Sequence, residues 1–203
     1  MRVTVSRFFR EYPRWQVLSE RVLPQLVAET PAGGTLRLWS AGCCGGEEPY
    51  SLAILWLEHF GPGDAPCRVE IIGTDIDSAS LERAEAGLYD HSSLREVPSE
   101  VKARYFSRRN GRFLLHPEVR ELVRFRRHNL KSDPPPRNVA LVLCRYLVFT
   151  YYSGQRRLNA SRRLLHALRP GGALMIARKE DLGTAAELFT AWPEAPGFFR
   201  RAF

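Results

Sequence analysis

The segment Leu36–Ser51, LRLWSAGCCGGEEPYS, restricts the fold more than any other stretch of the chain. A strand-like run, Leu36–Ser40, enters a loop of small residues, and the loop opens onto a helical pattern that starts at Glu47 and Glu48. Small residues let a backbone approach a ligand closely. A strand, a glycine loop and a helix place that ligand beyond the carboxyl end of a parallel strand. The dinucleotide spacing GxGxxG is absent, and no lysine precedes Ser51 as a P-loop requires. Two glutamates at a helix start repel phosphate, the usual guest of such a terminus. They suit a cationic ligand. A second physical reading is that they only complement the helix dipole.

The rest of the chain alternates apolar runs with helical patterns, as a βαβ series does. Residues 14–28 read as a helix with a break or kink at Pro24. Further strands are expected at Val69–Thr74, Leu122–Arg127, Val139–Cys144, Ala173–Ala177 and Phe198–Phe203. Further helices are expected at Glu48–Phe60, Ser78–Ala86, 99–105, Gln155–Leu168 and 183–191. Asn110-Gly111 is a favoured hairpin turn. The expected fold class is α/β: a Rossmann-like, mostly parallel, doubly wound sheet with an antiparallel terminal strand. Its 203 residues suit one domain, 1–203, with a helical lead-in at 1–30 and a hairpin insert at 103–121.

Composition narrows the function classes. No apolar run approaches the ~20 residues of a membrane span, and the N-terminus lacks a secretory pattern, so a cytoplasmic location without membrane insertion is expected. Cys43, Cys44, Cys67 and Cys144 form no CxxC pair, and reduced thiols without a metal are expected. The net charge is +8, and all but three of the 30 basic residues are arginine. Arginine pairs with carboxylate or phosphate. Asp133-Pro134-Pro135-Pro136 resembles the [DN]PP[YF] motif of DNA amino-methylating enzymes. It precedes the fourth strand and lacks the aromatic, so it reads as a loop, and no nucleic acid partner is expected.

The second strand ends in Gly73-Thr74-Asp75-Ile76-Asp77. An acid at that strand end is placed to accept both hydroxyls of a ribose. Asp75 is favoured for this over Asp77, which is placed to cap the next helix. After the third strand, Asn129 and Leu130 can frame an adenine edge. An adenosine ligand with cationic groups has the chemistry of S-adenosylmethionine (SAM), which carries a sulfonium and an α-ammonium.

The motifs LRLWSAGCCGGEEPYSLA, GTDID, SASLERAEAGLY, LREVP, RYF, VRFRRHNL, LVLCR and LRPGGAL, in this order, resemble the CheR-type chemotaxis receptor methyltransferases. SRFFR is similar to that family's TxFFR element, and the resemblance covers nearly the whole chain. It implies transfer of methyl from SAM to glutamate side chains on receptor helices, leaving S-adenosylhomocysteine. It implies that Arg10 lies beside the methionine end of SAM and is needed for activity. Thr4 and Ser6 fall near the cofactor, and Gly42 lies in its glycine loop. Glu47 is a SAM contact, Asp75 the ribose acid, and Asn129 and Leu130 the pair near adenine. Arg145 matches the arginine of the usual CRN motif. Tyr151 matches a pocket tyrosine taken as catalytic with Arg10; Phe149 is the alternative register. No general base is required, because a glutamate carboxylate is already ionised at neutral pH.

The chain departs from the pattern at three places. It starts at the FFR element, where family members carry a preceding helical domain that docks receptors. The asparagine of CRN is Tyr146, placed with the cofactor-binding residues. The hairpin insert is short, so tethering of a receptor's terminal peptide is not expected. The expected partner is an acidic protein segment such as a receptor helix, toward which the arginines at 156, 157, 162 and 163 offer a docking face or only a solvated one. The alternative reading is a degenerate module that binds SAM or S-adenosylhomocysteine without turnover.

Overall fold

The computed structural model describes residues 6–61 and 65–201. Thr4 lies outside them. The chain opens with α1 (Tyr12–Val17), a π-helical turn (Leu18–Val22) and α2 (Leu23–Ala28). The wide turn falls just before Pro24, where an N–H is missing, so the kink expected there is taken up as a π-bulge. β1 (Thr35–Ala41) leads through the glycine loop to α3 (Glu47–Phe60), then β2 (Arg68–Asp75) and α4 (Ser78–Ala86). β3 (Leu88–Tyr89), α5 (Ser99–Tyr105), β4 (Phe106–Arg109), β5 (Arg112–Leu115) and α6 (Pro117–Arg120) form the insert region. β6 (Val123–Arg127), β7 (Val139–Leu143), α7 (Val148–Tyr151), α8 (Gly154–Ala167), β8 (Leu168–Met175), β9 (Phe189–Ala191) and β10 (Phe198–Arg201) complete the chain.

Seven strands make one sheet in the order β6-β2-β1-β7-β8-β10-β9. β6, β2, β1, β7 and β8 pair in parallel, and β10 runs antiparallel to both β8 and β9. Every residue of β7 is buried, as a central parallel strand requires. The strand order reverses at β1, which opens a crevice at its carboxyl end. One core cluster joins Leu36, Leu38 and Met175 to Trp15, Leu18 and Leu26 of the lead-in helices. The other packs Trp39, Val142 and Leu174 against Leu164 of α8.

Several elements differ from the sequence reading: α6 and α7 were not expected, and β8 begins at Leu168, where the end of a helix was expected, instead of at Ala173. The helix expected at 183–191 is a 3-10 turn, Gly183–Leu188, followed by β9. β9 exists because Phe189–Ala191 pairs with Phe199–Arg201, a contact invisible to local periodicity. The hairpin forms around Asn110 and Gly111, both at positive φ, as a two-residue turn demands. It gains β3 as a third strand. This small sheet packs on the FFR element: the Phe8 ring meets Tyr89 and Phe106 edge to face, with centroids 4.8 and 5.1 Å away.

Candidate cofactor cleft

The glycine loop is sewn to the end of β2. The N–H groups of Gly42 and Cys43 both donate to the Thr74 carbonyl, at 2.8 and 2.9 Å. Gly42 has φ 81°, and a Cβ there would lie 2.7 Å from Leu147 Cδ2, so glycine is required twice over. The next N–H, of Cys44, donates to Asp75 Oδ2 at 2.9 Å, and the Asp77 N–H donates to Asp75 Oδ1 at 3.0 Å. Each Asp75 oxygen is thus held by one backbone donor. The half-buried carboxylate borders a cleft with Gly42, Ile76, Asn129, Leu130, Leu147 and Tyr152. Asp77 sits at the start of α4 and accepts from Ser80 Oγ at 2.7 Å. Asp75, not Asp77, is the acid of the cleft.

The opposite wall is a tight turn. The Asn129 N–H donates to Asp133 Oδ2 at 2.9 Å, and the Lys131 N–H donates to Asn129 Oδ1 at 3.0 Å. The Asn129 N–H and the Ser132 hydroxyl hold the Asp133 carboxyl below its ordinary range. The Asp-Pro-Pro-Pro segment is therefore the scaffold of the Asn129 turn. Ile76, Leu147 and Tyr152 are among the wall residues that escaped the sequence reading. Ile76 is 44% exposed, an apolar side chain standing in the cleft between two acids. Its position just past a strand end was the available signal. Leu147 and Tyr152 carried none.

Glu47 and Glu48 separate into different roles. Glu48 accepts from Ser40 Oγ at 2.8 Å and from Arg145 Nη1 at 3.0 Å, so its charge is used inside the protein. Glu47 is 7% exposed, and its Oε2 is buried without a partner among the described residues. That oxygen lies 2.9 Å from where a Cβ on Gly45 would stand. Burial raises the Glu47 carboxyl above its ordinary value, against hydrogen bonds from Ser6 and Ser93. An orphaned, buried carboxylate oxygen beside a glycine loop fits a cationic ligand group.

Arg10 flanks the loop on the side of the FFR element. Phe8 and Phe9 are buried, and the Phe9 N–H donates to Ser51 Oγ at 3.0 Å, while that hydroxyl donates to the Glu47 carbonyl. These bonds tie Arg10 to the start of α3. The cleft brings together Gly42, Asp75, Asn129 and Leu130; Arg10, Ser6 and Glu47 stand around the loop but do not line it.

Arg145 and Tyr151 are placed differently from the sequence expectation. The Arg145 side chain is 2% exposed and turned inward. Nη2 donates to Glu11 Oε2 at 2.9 Å and to the Arg10 carbonyl at 2.6 Å, in addition to the Glu48 bond. Its reach toward a ligand is indirect, through the backbone of Arg10. Tyr151 is 56% exposed, on the outer side of α7, and Phe149 is buried in the core. The aromatic that enters the cleft is Tyr152. Tyr146 is not among the residues that border the cleft; its ring sits under the Arg10 guanidinium, 3.6 Å from Arg10 Cζ to the centroid. All four cysteines are free thiols. Among the described residues no helix is long and apolar enough to cross a membrane.

Comparison with known proteins agrees with this geometry. The family model described as CheR methyltransferase, SAM binding domain, matches residues 4–197. A chemotaxis protein methyltransferase of Listeria innocua is 35% identical over 185 residues, covering 91% of this chain and 68% of that protein. Chemotaxis protein methyltransferase 1 of Pseudomonas aeruginosa is 34% identical over 207 residues, 100% of this chain and 75% of its own length. An uncharacterized 104.1 kDa protein of Rhodobacter capsulatus is 36% identical over 90% of this chain, which spans 19% of that protein. In fold, the chain is similar to a TehB-like SAM-dependent methyltransferase from Corynebacterium glutamicum. That structure has a TM-score of 0.51 at 16% identity and covers 95% of this chain and 97% of its own. The chain therefore belongs to the CheR family of SAM-dependent methyltransferases, as a SAM-binding domain.

Proposed function

We propose that this chain transfers the methyl group of SAM to glutamate side-chain carboxylates on an acidic, receptor-like protein segment. The observation that carries the cofactor half is the orphaned Glu47 oxygen against the glycine loop, whose Cys44 N–H binds Asp75 at the cleft. The names of the chemotaxis relatives support the substrate half.

Asp75 holds the ribose hydroxyls, and Asn129, Leu130 and Ile76 frame the adenine. Glu47 takes the α-ammonium, with Ser6 nearby. Arg10 pairs with the carboxylate at the same end of the ligand. When bound, SAM supplies an electrophilic methyl group on sulfur. The chain has no proton to remove from the acceptor, because a glutamate is ionised at neutral pH. Its work is to align the two groups and exclude water. The net charge of +8 draws an acidic partner toward the site.

The test uses SAM with a tritiated methyl group and acidic helical peptides rich in glutamate. Base-labile label, released as methanol, is the expected product. Binding of S-adenosylhomocysteine with no label on any peptide or receptor fragment would favour a module without turnover. Failure to bind either form of the cofactor would remove the proposal.

A second test concerns the two costs of Glu47. Its folded pKa is raised, so the folded state holds this proton more tightly than the unfolded chain. Stability from this group is present at low pH and falls as pH rises through that window. Glu47→Gln is therefore expected to raise the melting temperature of the ligand-free protein at neutral pH. The same change is expected to weaken S-adenosylhomocysteine about tenfold, the worth of one charge-assisted hydrogen bond. Differential scanning fluorimetry and titration calorimetry read the two effects. Loss of both stability and affinity would mean that Glu47 serves the fold instead.

A further inference from the structure

We propose that Tyr146, anchored by Glu11, is a positioning residue that holds the Arg10 guanidinium in the orientation the ligand carboxylate requires. The proposal rests on the reading of Arg10 given above.

The backbone around Arg10 is unusual. Phe9, Glu11 and Tyr146 have φ of 52°, 64° and 55°, the left-handed region that bulky side chains avoid. Such conformations persist only where surrounding contacts over-determine them, and they gather at functional sites. Here the contacts are visible. The Phe9 N–H is held by Ser51 Oγ. The Arg10 carbonyl accepts from Trp15 Nε1 at 3.0 Å and from Arg145 Nη2. The Glu11 carboxylate accepts the Tyr146 hydroxyl at 2.7 Å, Arg145 Nη2 at 2.9 Å, and the Arg178 N–H at 3.1 and 3.0 Å. Both the main chain and the platform of Arg10 are thus fixed, and one carboxylate ties the two together.

The stack itself is close. Arg10 Cζ lies 3.6 Å from the Tyr146 ring centroid, face to face contact for a planar cation. A guanidinium held by its face keeps its N–H donors in the plane, where a carboxylate meets them bidentately. An asparagine at this position, which fits a left-handed backbone more easily, offers no such face. The aromatic residue that breaks the CRN pattern therefore adds a support, at the cost of a strained main chain. Its hydroxyl is pushed up to about 12, first by burial and then by the Glu11 carboxylate, so it remains a donor at every working pH.

The experiment compares two probes in titration calorimetry on the whole chain. S-adenosylhomocysteine carries the amino-acid carboxylate, and 5′-methylthioadenosine shares the adenosine but lacks it. Tyr146→Leu is expected to weaken S-adenosylhomocysteine about tenfold, the worth of a partly desolvated stack, and to leave methylthioadenosine within about twofold. Tyr146→Phe keeps the ring and loses only the Glu11 bond, so it is expected to recover most of that loss, to within about threefold of wild type. Equal weakening of both probes, or an unchanged S-adenosylhomocysteine affinity in Tyr146→Leu, overturns the inference while leaving the proposed function standing. A wild-type chain that binds neither probe overturns both.

Discussion

Asp75→Ala is expected to weaken S-adenosylhomocysteine binding by at least about 100-fold, the combined worth of two charge-assisted hydrogen bonds to a ribose. The carboxylate is pre-set for that task, since its two oxygens are held by the Cys44 and Asp77 N–H groups and the lone pairs that remain border the cleft. The same geometry makes Asp75→Asn a severe change. An amide has one acceptor oxygen, so its NH2 group must face one of the two backbone donors. Either the glycine loop or the start of α4 loses its anchor. Both variants are expected to remain folded, because the loop stays bonded to Thr74. Calorimetry with S-adenosylhomocysteine, alongside a far-UV spectrum, checks this. A loss below about tenfold would take the ribose away from Asp75.

Arg145→Ala is expected to cost about 3–5 kcal/mol of stability at neutral pH, the penalty for breaking a buried ionic cluster from one side. The guanidinium is 2% exposed and serves Glu48, Glu11 and the Arg10 carbonyl at once. Its removal strands two carboxylates whose side chains are 13% and 17% exposed, so water offsets only part of the loss. Burial pulls the Arg145 pKa down, but the charge of Glu48 and then Glu11 outweighs it and the net shift is upward. For Glu11, burial pushes upward, and the bonds from Tyr146, the Arg178 N–H and Arg145 overcome it, so the folded pKa lies below 4.5. The stability Glu11 contributes is therefore present above that value and lost as pH falls through the folded pKa. The difference between Arg145→Ala and wild type is expected to narrow over the same acid range. Urea unfolding at neutral and acidic pH measures both effects. A difference that does not change with pH would detach Glu11 from the cluster.

Much of the architecture was legible because it is carried by local pattern. The β1 run, the small-residue loop and the β7 run each announce a buried parallel strand or its exit, and Asn110-Gly111 announces its own turn. Asp75, Asn129 and Leu130 were legible for a related reason: they stand at strand ends, where the fold class alone puts the ligand. What failed depends on partners far away in sequence. β9 is three residues long and exists through β10. The inward turn of Arg145 depends on Glu11, which lies 134 residues earlier. Tyr152 reaches the cleft because it leaves the end of α7 in extended conformation, with φ −107° and ψ 146°, while Tyr151 ends the helix facing solvent. The separate fates of Glu47 and Glu48 follow from helical rotation in α3, where a step of one residue turns a side chain by about 100°. One faces Ser93, and the other faces Arg145.

The position of β1 at the middle of the sheet also sets an order of assembly. Its pairing with β2 joins residues such as Ser40 and Gly73, and this closes a short loop that brings the glycine turn onto Thr74 and Asp75. Its pairing with β7 joins Trp39 to Val142, across about a hundred residues, and loop-closure entropy and contact order make that step the slower one. Leu147, which seals Gly42, and Tyr146, which supports Arg10, both follow β7 in the chain. During folding, the ribose corner is expected to exist before the rest of the cleft. Ligand affinity then appears late, as a sign that the two halves of the sheet have met.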